Sequence, residues 1–581
     1  MTVFNLALVQ RRLFSHLADQ VGLFRVPPLA DHIELSLLAV LLARCLDMIS
    51  AEYLRTLLLI LFPTHILRGL RWQLSLLYIA CLIYAMYHLR DNIFLLLPIL
   101  ITLFVCLLIP VVPPIIHSNP EKSIGVQDIC LRSETGKRFW SKFYYPCKYR
   151  HTIDPLTLTS SLCPFLLIAF LSHHGMLEQM RVSQYHTIVS LTIFTIHTCC
   201  TMIEICLGLS VSRCFPSVKY GYGLARYQRM PGLIFSHLRL MTMHCFEDGE
   251  VEDAACLQVV LYFHGLSGVG SSYSQTCMEL ASKGYLVIAP EFSDGSASYT
   301  AIPNGEEIYY RFHDDYPEHS PGWYESFQSQ LVERAHQVNA LMNYLPQANK
   351  GSISAYYLPT LRFQRSKRSF FLDSIQGKIS AEKPILLGHS FGGATCVFLS
   401  SMEHKAAVKF RQNYGFRTMI LYDPWLQPMA IEVRSKALVP IEVPVLCLQA
   451  ERWIESNNEA ELDSLVVKES PLGYIIKVRG AGHTNFADGG MFSPVIGSRL
   501  GASGTADPTI LLDEITRVTA EFLATHADVS EKELQNTQEK DELICRDRFL
   551  AAVENSKSLF QTVSTPDTCI DMEDDRTTDE A

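Results

Sequence analysis

The sequence of 581 residues lacks several features that would place it in common protein classes. It contains 17 cysteines, yet no pair has the C-x-x-C spacing or any other spacing typical of a zinc site. None of its asparagines lies in an N-x-S/T glycosylation sequon. The odd number of cysteines, in a chain long enough to bury a large core, predicts reduced and packed thiols. These absences favour a folded domain that faces the cytosol.

A concentrated basic patch is also missing. The net charge is −10, and residues 526–581 contain 15 acidic and 6 basic residues, so the rest of the chain is close to neutral. This distribution argues against binding of nucleic acid. The first 30 residues contain no long apolar run before a small-residue cleavage site, which argues against a cleaved signal peptide.

Residues 1–118 contain no lysine, and two of their segments, Trp72–Leu89 and Ile93–Ile116, contain no charged residue. Each segment is about long enough to cross a bilayer core, and the short link between them suits a hairpin. Ile33–Ile49 and Leu57–Phe62 are weaker candidates, so we expect two to four transmembrane or interfacial helices. The alternative is that the two uncharged segments form buried helices of a soluble domain.

A second apolar region, residues 153–212, carries only four charged side chains. It contains two apolar runs, Leu156–Leu171 and Val182–Val211, which are separated by a polar link. Two interpretations fit equally well. The region either dips into the membrane near the catalytic site or supplies helices to the core of the domain.

From Val259 onward, short apolar runs alternate with helical stretches such as Gln330–Tyr344 and Ala394–Met402. This alternation predicts an α/β fold with a mostly parallel sheet that is covered by helices on both faces. We therefore predict a membrane region over 1–118, a catalytic domain over 119–525, and an acidic tail over 526–581 that is part helical and disordered at its end. The predicted strands are Val259–Phe263, Tyr285–Ala289, Ile385–Leu387, Thr418–Tyr422, Val443–Leu448 and Tyr474–Val478.

Residues 388–393 read G-H-S-F-G-G, which contains the G-x-S-x-G motif of a nucleophilic serine. A predicted strand precedes the motif and an apolar helix of small residues follows it. The sharp turn between them exposes the hydroxyl of Ser390 at the helix N-terminus, where backbone N–H groups converge. The motif predicts that Ser390 is the nucleophile of a hydrolase.

A serine hydroxyl requires a base, and the base requires an orienting carboxylate. His483 lies on a glycine loop directly after a predicted strand, where the last catalytic residue of this fold belongs. We interpret His389, which is adjacent to the serine, as structural. Two acids follow suitable strands, Asp423 and Glu451, and the spacing alone does not decide between them.

The negative charge that develops on the substrate oxygen requires fixed N–H donors. One donor is expected to be the backbone N–H of Phe391, directly after the serine. The other is expected to be the backbone N–H of Leu266, in the sequence H-G-L-S-G of residues 264–268, which follows an early strand. No cofactor or metal is needed for this chemistry.

Several motifs, in the right order, resemble those of the platelet-activating factor acetylhydrolases, the group VII phospholipases A2. The resemblance covers roughly residues 122–525. It rests on the serine motif G-H-S-F-G-G-A-T at 388–395, F-H-G-L at 263–266, D-G-S-A-S at 294–298, D-P-W at 423–425, H-T-N-F-A-D at 483–488, and an opening hairpin over Gly125–Pro146. The family's E-H-R-D segment reads E-F-S-D at 291–294, which is a departure from the pattern.

The resemblance implies an α/β-hydrolase fold and a role for Asp423, rather than Glu451, as the acid. It also implies that Trp425, in the same motif, contacts substrate. The implied substrate is a phospholipid with a short or oxidised sn-2 acyl chain, so we expect a multi-pass membrane enzyme that acts at the bilayer. The alternatives are a general lipase or carboxylesterase and a catalytically inactive membrane scaffold with a hydrolase fold.

Overall fold

The computed structural model of the chain describes most of the predicted catalytic domain. The predicted transmembrane hairpin, apart from five helical positions, and the apolar insert lie outside the described residues. The described residues are 122–148, 212–243, 245–253, 256–302, 306–352, 360–361, 369–452, 462, 465–466, 472–491, 503–526, 539–554 and 559–564, together with Leu76, Ile79, Ile83, Pro98 and Ile101.

Eleven strands form one sheet in the described part of the chain. In chain order they are β1 Ser123–Arg132, β2 Arg138–Cys147, β3 Phe246–Glu247, β4 Leu257–Phe263, β5 Leu286–Glu291, β6 Thr360–Leu361, β7 Ile379–His389, β8 Thr418–Tyr422, β9 Val445–Arg452, β10 Gly473–Gly482 and β11 Phe560–Ser564. Two short strand pairs, Ser212–Arg213 with Thr242–Met243 and Tyr299–Ala301 with Glu307–Tyr309, lie outside this sheet.

The order of the strands across the sheet is β6-β1-β2-β5-β4-β7-β8-β9-β10-β11. Six neighbouring strands, from β5 to β10, run parallel to one another. The strands β1, β2 and β11 add antiparallel pairs toward the edges, and β3 pairs with β1 in parallel. The sheet confirms the predicted mixed, mostly parallel architecture of an α/β-hydrolase, including the opening hairpin.

The helices are assigned as follows in chain order. They are α1 Val218–Tyr227, α2 Ser274–Ser282, α3 Pro321–Asn349, α4 Phe370–Ser374, α5 Phe391–Ser401, α6 Lys405–Asn413, α7 Ala430–Arg434, α8 Pro508–His526 and α9 Glu539–Glu554. Short 3-10 turns occur at Gly232–Leu240, Gly270–Tyr273, Gln427–Met429, His483–Phe486 and Asp488–Met491.

Successive side chains of the central strands are buried against different helices. Leu386 of β7 and Leu421 of β8 pack in one core cluster with residues of α3, α5 and α6. The next residue of β8, Tyr422, faces the other way, and its hydroxyl lies 2.5 Å from that of Thr519 in α8. Because side chains alternate along a strand, the sheet is covered by helices on both faces.

The predicted acidic tail contributes to the folded domain beyond residue 525. Helix α9 packs against α8, with Phe549 fully buried beside Phe522. Strand β11 then closes the sheet as the antiparallel neighbour of β10. Residues 114–148 and 212–581 therefore form one compact unit. The predicted helix begins at Glu539, and residues 527–538 lie outside the described part.

The described cysteines are free thiols, seven of them buried and one, Cys256, exposed. Burial raises the pKa of the Cys147 thiol to about 12, so this thiol is protonated at neutral pH. Among the residues that the structure describes, no helix is both long and apolar enough to cross a membrane.

Candidate active site

Four loops meet at the edge of the sheet where the parallel strands end. They follow β4, β7, β8 and β10 and begin with His264, Ser390, Asp423 and His483. Because parallel strands place their carboxyl ends at one edge, residues from distant parts of the sequence converge there. The sequence placed a candidate catalytic group on each of these loops.

Ser390 occupies a strained turn between β7 and α5. Its backbone has φ 56° and ψ −120°, a region that costs a non-glycine residue about 1–3 kcal/mol. The flanking glycines permit the turn, since a Cβ on Gly392 would lie 2.0 Å from the carbonyl oxygen of Phe263. The N–H of Ser390 donates to the carbonyl of Tyr422 at 2.9 Å and ties the turn to β8. The geometry is that of a nucleophile elbow.

The carboxylate of Asp423 orients the imidazole of His483. Its Oδ2 lies 2.7 Å from Nδ1 of His483, and its Oδ1 accepts the N–H of Ala450 at 3.0 Å. Asp423 is buried, and the His483 side chain remains 26% exposed. A donor at Nδ1 leaves Nε2 of the imidazole as the proton acceptor, which is the arrangement of a general base.

Glu451, the competing acid, lies elsewhere. Its side chain is exposed, and its Oε2 accepts the N–H of Gly480 at 2.8 Å. Glu451 therefore caps the end of the neighbouring strand, while Asp423 alone of the two candidates contacts the imidazole.

The loop after β4 lies directly against the nucleophile. A Cβ on Gly265 would lie 3.0 Å from the Cβ of Ser390. The N–H of Gly265 already donates to the hydroxyl of Tyr273 at 2.9 Å. Within the described residues, the N–H groups of Leu266 and Phe391 donate to no protein acceptor. The two predicted oxyanion donors are thus the ones left available.

Trp425 lies in an aromatic wall beside the nucleophile. Its backbone N–H donates to the carbonyl of Ser390 at 3.0 Å, which fixes it next to the elbow. Its half-buried ring lies 5.0 Å from that of Phe327, 5.9 Å from that of Trp323 and 6.0 Å from that of Phe391, measured between centroids. The arrangement gives the site an apolar flank. No group of three potential metal ligands occurs in the part of the chain that the structure describes.

A family model described as platelet-activating factor acetylhydrolase, isoform II, matches residues 211–544, which is more than half of the chain. The chain belongs to this family. The matched region includes every candidate site residue named above.

Proteins named platelet-activating factor acetylhydrolase are among the relatives of this family member. The one from Cavia porcellus is 26% identical over 275 residues, covering 46% of this chain and 56% of its own length. The one from Bos taurus is 25% identical over 328 residues, covering 54% of this chain and 67% of its own length. The chain thus spans little more than half the length of the Cavia porcellus protein.

A putative phospholipase A2 of Schizosaccharomyces pombe is 27% identical over 300 residues, covering 46% of this chain and 67% of that protein. Among solved structures, a ferulic acid esterase from Streptomyces cinnamoneus has a TM-score of 0.42 and 14% identity, and covers 72% of this chain and 93% of its own.

Sequence reasoning on this family member missed Arg334, which lies beneath the oxyanion loop. Its guanidinium is fully buried between the rings of Phe292 and Phe391, 4.4 and 4.5 Å from their centroids. It donates to the carbonyl of His264 at 2.9 Å and to Asp294 at 2.9 Å. A charged residue at an apolar position of the predicted helix Gln330–Tyr344 was the available signal.

His264, in the same loop, is held as a neutral imidazole. Burial, and then the charge of Arg334, lowers its pKa to about 3. Its Nδ1–H donates to the carbonyl of Gly265 at 2.8 Å, and its Nε2 accepts the N–H of Phe292 at 3.2 Å. Both ring nitrogens are therefore used to shape the loop, and neither is available to substrate.

Proposed function

We propose that the chain is a serine esterase that hydrolyses acyl esters through a covalent acyl-serine. The observation that carries the proposal is the hydrogen bond between Asp423 and His483 at the edge of the sheet where Ser390 sits in its strained elbow. A structural ion pair would not require a serine in a strained conformation beside it. Membership of a hydrolase family supports the same reaction class.

The proposed reaction uses each residue in turn. The hydroxyl of Ser390 attacks the ester carbonyl and passes its proton to Nε2 of His483, while Asp423 stabilises the imidazolium. The N–H groups of Leu266 and Phe391 hold the oxyanion. His483 then gives the proton to the leaving alcohol. A water molecule, deprotonated by the same histidine, releases the acid and restores the serine.

The proposed substrate is a phospholipid with a short or oxidised sn-2 acyl chain. The names of the relatives support this class, because they describe an acetylhydrolase and a phospholipase A2. The half-buried ring of Trp425 adds an apolar contact surface next to the nucleophile. We propose that this ring lies against the acyl chain of the bound ester.

We further propose that the N-terminal region anchors the enzyme to a membrane, with the catalytic domain on the cytosolic side. Moving a phospholipid out of a bilayer exposes its chains to water at about 0.8 kcal/mol per methylene group. An anchored enzyme avoids much of this cost. Leu76, Ile79 and Ile83 are helical, and their apolar side chains are 44%, 52% and 47% exposed, as expected of a surface that faces lipid.

The test is turnover of a panel of phospholipids that differ only in the sn-2 chain, by the full chain in detergent or vesicles. We expect acetyl and oxidised short-chain substrates to be hydrolysed faster than a sn-2 palmitoyl substrate. The matched control is a sn-1 acetyl isomer. Equal rates on all of these, with high activity on simple esters, would replace the phospholipase proposal by a general carboxylesterase.

A further inference from the structure

Three hydrogen bonds connect the oxyanion loop to the histidine loop beneath the candidate site. The N–H of Gly265 donates to the hydroxyl of Tyr273 at 2.9 Å. That hydroxyl lies 3.0 Å from Nδ1 of His389, and Nε2 of His389 lies 3.0 Å from the carbonyl oxygen of His483. These contacts form a continuous polar bridge, Gly265–Tyr273–His389–His483, between two loops that are far apart in the sequence.

The direction of each bond in the bridge is fixed by chemistry. The N–H of Gly265 can only donate and the carbonyl of His483 can only accept. The hydroxyl of Tyr273 therefore accepts from Gly265 and donates its own proton to Nδ1 of His389. Nε2 of His389 must then carry the proton that it donates to His483. One neutral tautomer of His389 satisfies every member of the bridge.

The bridge is closed to solvent and lies directly under the candidate base. Tyr273 is 2% exposed and His389 is 5% exposed. The ring of His389 packs against the ring of His483, with 4.6 Å between their centroids. Burial, and then the neighbouring His483, lowers the pKa of His389 well below its usual value, consistent with the neutral tautomer.

We propose that Tyr273 and His389 are positioning residues that set the distance between the oxyanion loop and the imidazole of His483. The inference rests on the proposed function, since it concerns how the same site is held. The bridge occupies the N–H of Gly265, so that the next N–H, of Leu266, is the one that points to substrate. It also anchors the backbone of His483 rather than its reacting nitrogen. A displacement of about 1 Å between such groups can lower a rate about a hundredfold.

The first test removes the hydroxyl in the middle of the bridge. In Tyr273→Phe, the N–H of Gly265 and Nδ1 of His389 lose their partner, and both loops are free to move apart. We expect kcat on a soluble ester to fall about tenfold to a hundredfold with KM within about twofold of wild type. Rates are taken per active site, counted by the endpoint of fluorophosphonate labelling, so that unfolded protein does not contribute.

The matched control is Tyr144→Phe. Tyr144 is also fully buried, and its hydroxyl is 3.0 Å from that of Ser274, away from the bridge. Both variants delete one buried and hydrogen-bonded hydroxyl, so both are expected to lose similar thermal stability. Only the bridge variant is expected to lose kcat. If Tyr273→Phe is destabilised like the control and keeps the wild-type kcat, the tyrosine is merely structural and the proposal is overturned.

The second test separates the two ends of His389. A glutamine amide reaches the position of Nε2 and can still donate to the carbonyl of His483, whereas an asparagine reaches only the position of Nδ1. We expect His389→Gln to retain at least about tenfold more kcat than His389→Asn, because the bond to the histidine loop is the one that positions the base. Equal kcat in the two variants would contradict the proposal.

The outcome also separates this inference from the proposed function. If Ser390→Ala abolishes labelling while Tyr273→Phe and both His389 variants turn over at the wild-type rate, the esterase stands and the bridge fails. If Ser390→Ala is still labelled, the proposed function fails, and the bridge as a positioning device fails with it.

Discussion

Arg334 and Asp294 form an ion pair whose two side chains are both fully excluded from solvent, with Nε and Oδ2 2.9 Å apart. Burial alone would raise the pKa of Asp294, but the guanidinium of Arg334 and the donors of Ser296 hold it below its usual value. The pair lies under the oxyanion loop and bonds to the loop at His264 and to the nucleophile helix at Thr395. It therefore fixes two parts of the site from below.

Removal of one partner of this pair is expected to be costly. Arg334→Met leaves the Asp294 carboxylate buried without a counter-charge, which typically costs about 3–5 kcal/mol. We expect a large fall in the melting temperature and little remaining esterase activity. The double variant Arg334→Met with Asp294→Asn removes both charges, so it should recover part of the lost stability. A single variant as stable as wild type would contradict this account of the pair.

The choice between the two candidate acids predicts different kinetic losses. In Asp423→Asn the imidazole of His483 loses the partner that fixes its tautomer and stabilises its charged form, worth up to about 10⁴ in kcat. Glu451→Gln changes an exposed side chain that contacts only the backbone of Gly480, so its kcat should stay within about threefold of wild type. Steady-state rates on p-nitrophenyl acetate measure both. A larger loss in the Glu451 variant would assign the acid to the wrong residue.

Stability should fall in acid because neutral histidines are buried. Burial lowers the pKa of His526 to about 4, against about 6.5 in an unfolded chain. The unfolded state thus binds a proton first, and stability is lost as the pH falls from about 6.5 through 4, by up to roughly 3 kcal/mol from this group. The melting temperature of His526→Gln should decline less than that of wild type over this range. An identical decline in the two proteins would mean that His526 is not the titrating group.

Anchoring by the N-terminal segment predicts a loss that depends on the substrate. Leu76→Arg combined with Ile79→Arg places two charges on an exposed apolar helical face, each costing about 2.5–3.5 kcal/mol at the centre of a bilayer. Activity on phospholipid in vesicles should fall, and activity on a soluble short-chain ester should not. Leu76→Ile with Ile79→Leu is the apolar control. Equal loss on both substrates would place these residues in a folded core.

The strands of the sheet were largely predictable, and their deviations have local causes. Thr418–Tyr422 was predicted with the bounds that the structure has, because it is a continuous apolar run between polar residues. Strand β7 begins at Ile379 rather than Ile385, since a bulge with Lys383 at φ 51° interrupts the apolar pattern. Strand β11 is mostly polar and lies at an edge, so periodicity gave no signal for it.

The candidate site was predictable where its signal is local and missed where it depends on contacts distant in sequence. Ser390 and His483 stand in short motifs whose glycines the turns require. The functions inferred for Tyr273, His389 and Arg334 depend on partners that lie 8 to 116 residues away along the chain. Only the fold shows that these side chains meet, because spacing along one strand or helix does not encode such pairs.

Labelling of the full chain with a fluorophosphonate, followed by mapping of the modified peptide, tests the central assignment most directly. The probe reacts only with an activated serine, so its adduct reports the nucleophile without knowledge of the substrate. We predict a single adduct on Ser390, absent in Ser390→Ala and strongly slowed in His483→Ala, while Ser390→Ala keeps the melting temperature of the wild type. Labelling that persists in Ser390→Ala, or an adduct on another serine, would contradict the account.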